Sequence, residues 1–72
     1  MWYYKSPIGL MKIYKNSSGR YSLQIKDNVY GSYNSAVAAA DDVYMFATGC
    51  HQWDSLEGKL NPPSDIHEWE IS

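Results

Sequence analysis

The chain has 72 residues, 7 Tyr, 3 Trp and 1 Phe among them, and a formal net charge of −2; that length excludes more than one domain, 1–72, and leaves the aromatics to supply much of a small core. A single cysteine, Cys50, excludes an internal disulfide and points to a reducing compartment. No apolar run approaches a membrane span and MWYYKSPIG lacks the basic and apolar regions of a signal peptide, so a cytoplasmic location with no membrane partner is expected.

Met1 to Lys5 sets Trp2, Tyr3 and Tyr4 in a row, which reads either as a strand covered on both faces or as a partly exposed aromatic edge. Ser6-Pro7-Ile8-Gly9 is a turn, with proline fixing φ at the first corner. Leu10 to Lys15 then alternates, Met11 and Ile13 on one face and Lys12 and Tyr14 on the other. The polar segment Lys15–Gly19 suits a hairpin into Arg20.

From Arg20 to Lys26 the period is again two: Tyr21, Leu23 and Ile25 face a core, Arg20, Ser22, Gln24 and Lys26 face solvent. Asp27-Asn28 tolerates the positive φ values of a two-residue hairpin loop before Val29–Tyr33. That loop pairs Lys26 with Val29, Ile25 with Tyr30 and Leu23 with Ser32, and sets Gly31 opposite Gln24. A glycine inside a strand marks a bulge or a close approach by something larger.

Asn34 and Ser35 are good N-caps for the alanine-rich run that follows. Ala36, Ala39, Ala40, Val43 and Ala47 share one helical face with Phe46 beside them, while Asp41, Asp42 and Met45 fall elsewhere. Gly49 is the expected left-handed residue after a helix of about 13 residues. Beyond it, Trp53 and Leu56 predict a short turn of helix, 57–65 a loop, and Ile66–Ile71 a short strand with His67, Trp69 and Ile71 alternating with Ile66, Glu68 and Glu70. The expected fold class is α+β: a small antiparallel sheet of three to four strands packed against one α-helix, with room for a short C-terminal strand.

Signals for catalysis are sparse. Cys50 and His51 invite a nucleophile-and-base reading, and with Asp54 and His67 a metal one, but adjacent residues diverge and no Cys-x-x-Cys or His-x-x-x-His spacing is present. The alternative is a small buried Cys50 beside a solvated His51. Asp41 and Asp42 stand about 100° apart on a helix, and Gly31-Ser32-Tyr33 is no phosphate loop. No catalytic residue, metal or cofactor is expected, and the chain reads as a non-enzyme.

The solvent face of the sheet is the stronger candidate. Lys12, Tyr14, Arg20, Ser22, Gln24 and Lys26 alternate outward on two neighbouring strands, joining groups that contact phosphates to groups that read base edges. Charge is also divided: residues 1–40 carry Lys5, Lys12, Lys15, Arg20 and Lys26 against Asp27, a balance of +4, and residues 41–72 carry Lys59 against Asp41, Asp42, Asp54, Glu57, Asp65, Glu68 and Glu70, a balance of −6. Such polarity can orient a partner.

The segment IKDNVYGSYNSAVAAADDVY resembles the core of the plant ethylene-response-factor (Apetala-type) DNA-binding domain and of the arm-binding domains of tyrosine-type phage integrases. The likeness rests on Ile25, Tyr30-Gly31-Ser32-Tyr33, the caps Asn34-Ser35 and the alanines through Ala39-Ala40, and spans roughly the stretch 20–49. It implies a three-stranded antiparallel sheet on one helix, with DNA bound by the sheet face. Two readings follow: a small binding module that contacts nucleic acid through its basic sheet face, or a protein-interaction or self-associating module, homodimeric in the simplest case, that uses Trp2, Tyr3, Tyr14 and Trp53 or Trp69 as exposed anchors. If Trp2, Trp53 and Trp69 are all buried, the second reading loses its patch; if they are exposed and the lysines are scattered, the first fails.

Overall fold

The alternating runs Leu10–Lys15 and Arg20–Lys26 become strands in the computed structural model, which describes residues 1–72. In chain order the elements are β1 (Trp2–Ser6), β2 (Gly9–Lys15), β3 (Tyr21–Ile25), β4 (Asn28–Tyr33), α1 (Ala36–Tyr44), α2 (His51–Asp54), a 3₁₀ turn (Ile66–Glu68) and β5 (Glu70–Ile71). One antiparallel sheet in the order β4-β3-β2-β1-β5 packs against α1, giving the α+β fold. The first segment is thus an inner strand, pairing Trp2 with Ile13 on one side and with Ile71 on the other.

The core lies between one face of the sheet and the helical layer. Met11, Ile13, Leu23 and Ile25 from the sheet meet Ala36, Ala39, Ala40 and Val43 from α1. The alanines let α1 approach closely, and Ser35 caps it by accepting from the Ala38 amide at 3.1 Å. Trp53 is fully buried, and its indole N–H donates to the Val43 carbonyl at 2.9 Å, locking α2 under the end of α1. Tyr4 sits between Trp53 and Trp69, with ring centroids 6.2 and 5.6 Å away.

Three expectations are corrected. The loop between β3 and β4 is Lys26-Asp27, not Asp27-Asn28: Ile25 pairs with Asn28, and Lys26 takes φ 57°. The register then shifts between Gln24 and Leu23, which pair with Val29 and Gly31, leaving Tyr30 as the extra residue of a bulge. The final register differs by one residue from the expected one, which reverses the faces of β4. Ser32 therefore turns to solvent opposite Ser22, and Tyr33 turns inward opposite Tyr21. Gly31 is required here, because a Cβ on it would stand 2.8 Å from the Tyr33 ring.

The helix is also shorter than its sequence period implies. It ends at Tyr44, and the left-handed residue that closes it is Phe46, with φ 55°; Gly49 is left-handed too, with φ 88°, but lies beyond the helix end. The amides of Phe46 and Ala47 donate to the Val43 and Asp42 carbonyls, a Schellman closure. Ala47 is consequently exposed. Phe46 tolerates the unfavourable backbone because its ring stacks on Trp53 at 5.0 Å and 19°.

The C-terminal segment is a strand over Glu70–Ile71 alone. Asp65 accepts from the His67 amide at 2.7 Å and starts a 3₁₀ turn instead. Ile66 and Trp69, three apart, are both buried, so tertiary burial overrides the apparent alternation.

Candidate binding face of the sheet

The register assembles the solvent face row by row. Lys12 stands between Tyr3 of β1 and Gln24 of β3, and Tyr14 stands opposite Ser22, which in turn faces Ser32. Lys12, Tyr14, Ser22 and Gln24 thus share one surface, as the alternation predicts. Arg20 joins them across β4: its Nε donates to the Ser32 hydroxyl at 2.8 Å, and its two terminal nitrogens to the Asn34 side chain at 2.6 Å and the Ser32 carbonyl at 2.9 Å.

Lys26 does not belong to this surface. Placed in the turn, its stem crosses over Gly9, and its Nζ donates to Gln52 of α2 at 3.1 Å. The one-residue offset of the turn is the cause.

Several polar groups on the face are committed to one another. The Tyr14 hydroxyl donates to Gln24 Oε1 at 3.1 Å, and Gln24 Nε2 donates to the Lys26 carbonyl at 2.8 Å. Asn16 Nδ2 donates to the Ser22 hydroxyl at 3.0 Å. Ser22 is only 6% exposed although it points to the solvent side. Asn16 is bonded to its hydroxyl and Tyr14 stands directly opposite it on β2.

Two residues of the face lie outside the sequence-derived set. Tyr3 and Lys5 of β1 point the same way as Lys12, since Tyr3 pairs with Lys12 and Lys5 with Leu10. Alternation within Trp2–Lys5 is their only sequence signal, and three successive aromatics hide it. Glu70 of β5, opposite Tyr3, brings one carboxylate to the margin.

The cations of the face have no carboxylate partner. The one close approach of a basic nitrogen to a carboxylate is that of His67 Nδ1 to Asp65 at 3.3 Å, leaving Lys5, Lys12 and Arg20 without a carboxylate partner. Carboxylates of the helical layer are bound up instead by hydroxyl and amide donors. Asp54 accepts from Thr48 through its amide and hydroxyl and from the Gly49 amide, and Asp42 accepts from the Tyr33 hydroxyl. Glu68 accepts from the Ser64 hydroxyl and amide, which hold its carboxyl below the usual range.

Cys50 is a buried core residue, and His51 and His67 are exposed on separate elements. No three His, Cys, Asp or Glu side chains gather where one ion would bridge them. No helix is long and apolar enough to cross a membrane. No protein-family model, curated protein or solved structure matches this chain.

Proposed function

We propose that this chain is a small non-enzymatic binding module of the cytoplasm that contacts nucleic acid through the solvent face of its sheet. The observation that carries the reading is the set of cations, Lys5, Lys12 and Arg20, on one flat face with no carboxylate paired to any of them. An anionic polymer supplies the missing counter-charge, and the acidic helical layer turns the basic face toward it. The resemblance of residues 20–49 to DNA-binding sheets agrees with the same face. A buried free Cys50 suits a reducing compartment.

Amide NMR titration with short nucleic acids at low and moderate salt tests the proposal. Shifts on β1, β2 and β3 that fade as salt rises are expected, with a log–log salt slope of about −2 to −3 for three phosphate contacts. Lys5→Glu with Lys12→Glu should remove them; shifts that survive the double substitution reject the proposal.

A protein partner is the second reading, and of its five anchors Tyr3 and Tyr14 keep their place on the solvent face. Trp53 and Trp69 are buried and Trp2 is half-buried, so no tryptophan patch remains. What favours it now is the outer side of α1 and its cap, where Val37, Tyr44 and Met45 are each about half exposed. Shifts confined to those residues on self-association would move the function there.

A further inference from the structure

We infer that the sheet face takes single-stranded nucleic acid by stacking, and does not enter a duplex groove. The inference rests on the nucleic-acid reading above and goes further by choosing the strand state of the ligand. Reading base edges in a major groove needs free, projecting donors and acceptors. Of the side chains on the face that can pair with base edges there, Gln24 and Arg20 are occupied, and only the ammonium groups of Lys5 and Lys12 stand free. Gln24 bonds Tyr14 and the Lys26 carbonyl, and Arg20 bonds Ser32 and Asn34. Using either on a base would break contacts within the sheet.

What the face offers instead is two tyrosine rings around a lysine. Tyr3 stands directly across from Lys12, and Tyr14 follows two residues along the same strand. The Tyr14 hydroxyl donates diagonally to Gln24 of the neighbouring strand, which ties the ring to the surface of the sheet. Tyrosine faces held this way stack on any base, while a nearby ammonium meets the phosphate.

Spacing points the same way. Diagonal neighbours on adjacent strands are about 7–8 Å apart, roughly twice the 3.4 Å step between stacked nucleotides along one strand. Two bases seated on the two rings must therefore be splayed from each other, which a single strand permits and a duplex forbids. Glu70 beside Tyr3 sets the limit of the track, since its carboxylate repels a backbone running past β1.

Fluorescence anisotropy with a labelled 15-nucleotide oligothymidylate and a labelled hairpin duplex, at low salt, tests the choice. The oligothymidylate is expected to bind at least about ten-fold tighter than the duplex. Tyr14→Leu and Tyr3→Leu should each weaken it about five- to 150-fold, the range of one lost stacking contact. Tyr14→Phe, which keeps the ring but frees it from Gln24, should still bind the oligothymidylate more tightly than the duplex; should the leucine variants not fold, a Tyr14→Phe protein that prefers the duplex overturns the inference. Duplex binding equal to or tighter than strand binding, with folded leucine variants unimpaired, overturns this inference and leaves the nucleic-acid reading standing. Binding to neither probe overturns both.

Discussion

The phenol of Tyr33 donates to Asp42 Oδ2 at 2.8 Å, joining the end of β4 to the middle of α1. Burial first, and then the hydrogen bond and negative charge of Asp42, push the Tyr33 pKa up to about 12 from 10.0. The neutral phenol is therefore the form the fold prefers. Its contribution is complete below pH 10 and is lost as pH rises from 10 through about 12. Thermal melts between pH 8 and 12 should show the parent losing stability above pH 10 more steeply than Tyr33→Phe. Near neutral pH that substitution should cost about 1 kcal/mol for the lost hydrogen bond. Parallel pH curves for the two proteins would refute the assignment.

Gly31 and Tyr33 form a coupled pair in the same strand. An alanine Cβ at position 31 would stand 2.8 to 3.0 Å from two ring carbons and the hydroxyl oxygen of Tyr33, which the Asp42 bond holds in place. Gly31→Ala should therefore destabilise by about 1–3 kcal/mol, as overpacking does. In a Tyr33→Ala background the same change should be neutral or slightly stabilising, because alanine in an unobstructed strand restricts the unfolded chain. A double-mutant cycle by urea denaturation measures the coupling, expected above about 1 kcal/mol.

Phe46 carries a backbone cost for a ring contact. Its left-handed φ of 55° is unfavourable for any residue with a Cβ, by about 1–2 kcal/mol. Phe46→Ala removes the stack on Trp53 and keeps that cost; Phe46→Gly removes both. Glycine ordinarily ranks below alanine for stability, yet here Phe46→Gly should exceed Phe46→Ala by about 1 kcal/mol. Chemical denaturation of the two variants decides it, and alanine ranking above glycine would mean that the helix end relaxes.

What the sequence made legible is local. Met11, Ile13, Leu23 and Ile25 obey a period of two and are all buried, and Ser35 caps the helix from a position its residue type marks. Non-local preferences decided the rest. The register of β4 follows from the reach of Tyr33 to Asp42, nine residues on, and the helix end follows from the ring of Trp53. Neither leaves a periodic trace. The candidate face divides along the same line: Lys12, Tyr14, Ser22 and Gln24 are fixed by alternation, while Lys26 moved off the face when the turn shifted by one residue. Tyr3 and Lys5 joined it only through pairing of β1 with β2.

Arg20 and Lys12, both cations of the face, should separate sharply when replaced. Arg20 makes three hydrogen bonds that tie the loop before β3 to Ser32 and Asn34 of the sheet's edge. Lys12 has neither a carboxylate nor a side-chain hydrogen bond to lose. Arg20→Ala should therefore lower stability by about 1 kcal/mol, read as a drop in Tm of roughly 4–8 °C for a domain this small. Lys12→Ala should fall within about 0.5 kcal/mol of the parent. Because Lys12 is idle in the fold, any binding lost on its removal belongs to the partner alone, whereas a loss with Arg20→Ala mixes contact with a loosened β4. Equal thermal shifts in the two variants would show that the guanidinium bonds do not hold the edge, and Arg20 would then stand beside Lys12 as a free cation for the ligand.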